Sequence, residues 1–248
     1  MSGHSKWNNI KGRKEKADAE RSKIFTRVGR EIMVAVKEGG ANVDSNSKLK
    51  MAIAKARQYN MPNDRINNII KKNSEQDSSN YVEQTYEGYG VGGVAVVVKC
   101  FTDNKNRTSS DVKYAFDKYG GSIGATGCVS YMFDNKGVVV VEKNDKFDSD
   151  AAMELAITMN AIDCEDDEVF TVYTEPSATS VNDLVAAFEE NGYTILSSGV
   201  EMIPQNYTKL NEHQLETFNK MLDKLNESDD VVDIIYNLEE EDDGECDE

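Results

Sequence analysis

Nine cations stand close together near the start of the sequence: Lys6, Lys11, Arg13, Lys14, Lys16, Arg21, Lys23, Arg27 and Arg30. Only Glu15, Asp18 and Glu20 oppose them across that span. Cations at this density suit a polyanion, and nucleic acid is the commonest one in a cell. The chemistry would be ionic contact rather than bond breaking. Lysine and arginine neutralise phosphates, Asn8 and Asn9 can donate to phosphates or base edges, and Trp7 can stack on an exposed base. Two plainer accounts compete: a solvated cationic face, which helices carry routinely, and a tryptophan that packs its own segment down. Cation density in a segment without apolar periodicity, the aromatics Trp7 and Phe25 within it, and the acidity of the rest of the chain favour binding.

Other constellations are weaker. Gly88, Gly90 and Gly93 satisfy a G-x-G-x-x-G spacing, with Asp111 further on. A dinucleotide loop must follow a strand and open a helix, so that amides and dipole face the pyrophosphate; these glycines precede a strand and read as a turn. The acidic run from Glu165 to Glu168 lacks the ligand spacing of a calcium loop and reads as a solvated turn. His4 and His213 stand alone, and Cys100, Cys128, Cys164 and Cys246 include no C-x-x-C pair. No zinc site, cofactor or catalytic constellation is expected, and reduced thiols suit a cytoplasmic protein. The start lacks the apolar run of a secretory signal, and the most apolar stretch, 94–98, is far too short to span a bilayer.

Charge is divided unevenly. The chain of 248 residues carries 28 Lys+Arg against 45 Asp+Glu, yet residues 1–80 hold 17 against 9. An acidic average therefore hides a basic leading part. The length predicts more than one core.

The elements that must position these groups can be read from periodicity. Residues 1–17 lack it and read as an irregular arm. Asp18 then caps a helix in which Ile24, Phe25, Val28, Ile32, Ala35 and Val36 recur at three- and four-residue steps until Gly39 and Gly40. A second helix runs from Ser45 or Asn46 to before Asn60, and a third opens at Pro62 or Asn63 and closes on Lys71 and Lys72. Residues 74–80 are a polar linker. Beyond it come a strand at 94–101, a helix at 109–119 and a strand at 129–133. A second series follows: strand 137–142, helix 150–160, a possible short strand at 161–163, strand 169–174, helix 181–191 and strand 194–203, the βαββαβ order of a ferredoxin-like sheet. A helix at 211–225 and a strand at 231–238 cannot bury their apolar faces alone, so they must return to the first unit.

The expected class is thus α+β: a basic three-helix domain (1–78), then two ferredoxin-like α/β sandwiches, one (135–204) inserted in the other (79–134 plus 205–238). Eight of the last ten residues are acidic, and residues 239–248 read as a disordered tail.

The opening Met1-Ser-Gly-His-Ser-Lys-Trp7, Ile10-Lys11, Lys16-Ala-Asp18, Lys23-Ile-Phe25, Ala54-Lys-Ala56, Asn60-Met-Pro62 and Tyr86-Glu-Gly-Tyr-Gly90 closely resemble the YebC/PmpR family. The likeness runs from residue 1 to about 238. It implies a helical N-terminal domain with two α+β domains. It also implies a nucleic-acid partner: DNA, as for members described as transcriptional regulators, or ribosomal RNA, as for members that act as translation factors at difficult sequences such as proline runs. Neither role needs a bond-breaking site; the more distant alternative is an enzyme that uses the glycine loop or the cleft between the two sheets. The residues from Lys6 to Arg30 are then the expected contact surface, with the α+β domains as scaffold.

Overall fold

A computed structural model describes residues 21–75, 81–145 and 147–239. The expected irregular arm and nearly all of the expected acidic tail lie outside these residues.

Helix α1 (Arg21–Gly39) lays Val28, Ile32, Ala35 and Val36 against Leu49, Ala52, Ile53 and Ala56 of α2 (Ser47–Gln58), with Met61 in the connection that follows and Ile66 in the third helix closing the core. That third helix, α3, spans Asn63–Glu75. Buried Asn46 joins the first two: its side chain accepts from the Leu49 amide at 3.0 Å, capping α2, and donates to the carbonyls of Ala35 and Gly40 at 2.7 and 2.8 Å. Asn60 ends α2 in the left-handed conformation (φ 57°), and the Met61 amide returns to Ala56 O at 2.9 Å.

The chain continues through β1 (Val82–Tyr89), β2 (Ala95–Thr102), α4 (Lys105–Lys118), β3 (Ser122–Ile123) and β4 (Phe133–Val141). Then follow α5 (Ser149–Thr158), β5 (Asp163–Asp166), β6 (Phe170–Thr174), α6 (Ala178–Glu190), β7 (Ile195–Pro204), α7 (Glu212–Asn226) and β8 (Val231–Tyr236). Two four-stranded antiparallel sheets form, ordered β3-β1-β2-β8 and β5-β6-β4-β7. The fold is mixed α+β, and the second sheet has the strand order of a ferredoxin-like unit. Val94, Val96 and Val98 face α4 and α7, where Phe116, Phe218 and Met221 cover them, while Ala95 and Val97 face the other way with Val129 and Phe133. In the second sheet Val139, Val141, Phe170 and Val172 lie under α5 and α6, and Val138, Val140 and Tyr173 occupy the opposite face.

Several local expectations change. Strand β1, with its polar Glu83, Gln84 and Thr85, pairs along its whole length with β2, from Val82 opposite Thr102 to Tyr89 opposite Ala95. Of the expected strand 129–133 only Phe133 is one: Ser130–Met132 is a 3₁₀ turn, and Phe133 begins a strand that runs through the polar Asp134–Lys136 to Val141 because β7 pairs with all of it. The acidic run is only partly a turn, since Glu165 and Asp166 lie in edge strand β5. Helix α4 starts four residues before the expected Ser109, at Lys105, because Asn104 accepts from the Arg107 amide at 3.1 Å and caps it there.

Candidate nucleic-acid interface

The expected contact residues divide by position. Lys6, Trp7, Lys11, Arg13, Lys14 and Lys16 lie outside the described residues, and Arg21 and Lys23 have their backbone in the first turn of α1. Arg27, Arg30 and Lys37 recur at helical spacing on one stripe, and that stripe meets the α+β body. Arg27 donates to the side chain of Asn226, Lys37 donates to the Tyr81 carbonyl, and Arg30 donates to Phe101 O at 2.5 Å and to Asp230 Oδ1 at 2.9 Å.

Asp230 is the centre of this contact. Its other oxygen accepts from Arg107 Nη2 at 2.7 Å, Thr108 Oγ1 at 2.8 Å and Thr102 Oγ1 at 3.1 Å. Burial alone would push its carboxyl up; the hydrogen bonds from Arg107, Arg30, Thr108 and Thr102 outweigh it and hold the group at about 2 instead of 3.8. The side chains of Arg30 and Asp230 are only 13% and 5% exposed. A guanidinium so enclosed is not presented to a phosphate. Arg30, one of the expected contact residues, here joins α1 to the α+β body through a charge-assisted hydrogen bond to a buried carboxylate.

What the sequence reading passed over is the outer surface of α2 and α3. Residues 21–75 hold 12 Lys+Arg against 5 Asp+Glu. Lys50 and Arg57 are exposed seven residues apart on α2, and Arg65, Lys71 and Lys72 are exposed on α3 beside the amides of Asn63, Asn67 and Asn68. None of these five cations is ion-paired with a described residue. The Arg65 guanidinium lies 5.2 Å over the Phe25 ring, which orients it without neutralising it. The signal is in the sequence, since a seven-residue step returns to the same helix face.

A cleft elsewhere behaves differently. A cleft of about 600 Å³ opens between α1, α2, β2, β7 and β8. Five carboxylates line it, Glu31, Glu38, Glu83, Glu201 and Asp233, against Lys48, Lys55 and Lys99. Lys55 bonds Glu31 at 2.7 Å and Lys48 bonds Glu38 at 2.6 Å, so two of the three ammoniums are already matched. Burial, and then the neighbouring Glu38, push the Glu83 carboxyl up. Such a cleft repels phosphate.

The glycine motif is structural. Glu87 is 4% exposed and accepts from the amides of Gly127, Val129 and Ser130 at 2.8, 3.1 and 2.8 Å, pinning the loop after β3. A Cβ on Gly88 would sit 2.3 Å from the Ser122 carbonyl oxygen. Among the described residues no group of His, Cys, Asp and Glu is arranged to hold a metal ion, and no helix is long and apolar enough to cross a membrane.

Comparison with known proteins agrees with this architecture. Residues 5–76 match the description "TACO1/YebC protein N-terminal domain", and residues 81–238 match "TACO1/YebC second and third domain". The chain belongs to the TACO1/YebC family. Among TACO1/YebC relatives, a "Probable transcriptional regulatory protein" of Clostridium acetobutylicum is 48% identical over 241 residues, 96% of this chain and 97% of that one. Another so named, from Ruminiclostridium cellulolyticum, is 49% identical over 248 residues, 99% of each chain. A crystal structure of a conserved hypothetical protein, Aq1575, from Aquifex aeolicus superposes with a TM-score of 0.78 at 37% identity, covering 92% of this chain and 94% of that one.

Proposed function

We propose that this TACO1/YebC protein is a non-catalytic regulator of gene expression that binds nucleic acid, DNA in the first instance, through the cationic surface of its helical domain. The observation that carries this reading is the set of five exposed cations on α2 and α3 that are in no ion pair with a described residue. It is supported by the regulator names of the relatives and by the density of cations in the leading segment. Lysine and arginine there take phosphates, and the asparagine amides of α3 add hydrogen bonds that position the polymer. The clasped cations of α1 hold that surface on the body.

Salt dependence tests it. For duplex DNA, the logarithm of affinity falls with the logarithm of salt by about 0.9 for each phosphate neutralised. The combined substitution Lys50→Gln, Arg57→Gln, Lys71→Gln and Lys72→Gln in the full chain is expected to weaken binding and flatten that slope by about 3.6 units if each contacts one phosphate. Arg30→Gln is expected to leave the slope alone while lowering the melting temperature. An unchanged slope in the fourfold variant rejects the surface as a DNA contact. If the same variant keeps its affinity for DNA but no longer sediments with ribosomes, ribosomal RNA replaces DNA as the partner.

A further inference from the structure

We propose that the corner of the second sheet formed by the end of α5 and the edge strand β5 is a docking surface for a lysine- or arginine-rich polypeptide. It does not rest on the nucleic-acid reading and concerns the opposite kind of charge. Ile157 and Ile162 are 66% and 54% exposed. They flank the turn that closes α5, where Asn160 takes the left-handed conformation (φ 58°) and Ala161 N returns to Ala156 O at 2.9 Å, so both sit at the same end of the unit. Helix α5 lies along β5, and β5 is the last strand in the order β5-β6-β4-β7. Its outer edge therefore pairs with no strand among the described residues.

The surroundings select the partner. Residues 135–204 hold 15 Asp+Glu against 3 Lys. Asp166 is spent on Lys143 at 2.7 Å and Glu165 accepts from the Tyr173 hydroxyl at 3.0 Å, while exposed Glu154, Asp163 and Glu168 are in no ion pair with a described residue. Nucleic acid and an anionic membrane are repelled by such a field, and a second copy presenting the same corner would meet its own charge. What complements it is a cationic chain. An extended polypeptide can add to a free strand edge through its backbone, with alternate side chains meeting the acids and the isoleucines. Acidic side chains on an edge also serve to prevent pairing between copies. That purpose gives no reason for two aliphatic side chains more than half exposed beside the same edge, where they add an apolar contact of the kind found at protein interfaces.

The test uses the full chain and a short synthetic peptide alternating lysine and valine, with a glutamate–valine peptide as control. Calorimetry at low salt is expected to show binding of the lysine peptide alone, and amide exchange to show new protection confined to residues 157–168. The surface variant Ile157→Asn with Ile162→Asn, whose folding is checked by its melting curve, is expected to weaken binding about tenfold or more, as loss of the apolar centre of an interface does. Neutralising Asp163 and Glu168 with their amides is expected to flatten the salt dependence. Equal binding of both peptides, protection appearing elsewhere on the chain, or unchanged affinity in the isoleucine variant would each overturn the proposal.

Discussion

Asp230 shows how one carboxylate decides what a row of cations is for. It draws Arg30 from α1 and Arg107 from α4 onto a single side chain, so removing it strands a nearly enclosed guanidinium. Asp230→Ala is expected to cost about 3 kcal/mol in chemical denaturation, the penalty of an uncompensated buried charge. Arg30→Met should cost less, because Asp230 keeps Arg107, Thr102 and Thr108. The pH dependence has a definite sign. The folded carboxyl is held at about 2, below its ordinary 3.8, so its contribution is complete above the unfolded value and is lost as pH falls through about 2. Melting curves of the wild type and Asp230→Asn should therefore differ most above pH ~4 and converge below that window. A gap that stays constant down to acid pH would mean that the ionised form is not what Arg30 recognises.

At the level of elements, glycine meaning depends on what the next strand brings near. Gly88→Ala puts a Cβ 2.3 Å from a backbone oxygen of β3, an atom that cannot rotate away, and is expected to destabilise by about 2 kcal/mol or more. Gly199→Ala, in the middle of β7, meets nothing nearer than 3.8 Å and should be nearly neutral. A thermal shift of equal size for the two would refute the close approach of β1 and β3. The same elements mark where local pattern was enough and where it was not. The helices and the valine-rich strands were legible because their apolar residues recur with the period of the element that buries them. Strand β1, β3 and the start of β4 were not, since polar or glycine-bearing residues form strands there only because a partner distant in sequence supplies the ladder. Among site residues, the density of positive charge in α1 was plain. That Arg30 faces inward was hidden, because its partner lies 200 residues away.

Over the whole molecule, the first sheet is completed by residues separated from the rest of it by the second. Strand β8 pairs with β2, Val96 opposite Tyr236 to Cys100 opposite Val231, and Asn237 reaches back to bond the Ala95 amide at 2.7 Å. A chain ending at Asn226 lacks β8 and Asp230 together. It is expected to lose exchange protection in β1, β2 and α1 while β4, β6 and β7 keep theirs, since the second sheet's pairings are all internal to residues 133–204. Retained protection in β2 would show that β8 only decorates a finished sheet.

This closure by the last strand has a consequence for the chain while it is being made. Helix α1 leaves the exit tunnel 200 residues ahead of the carboxylate that later holds Arg30. Until synthesis reaches that point, Arg30 lacks the buried carboxylate that encloses it in the finished protein.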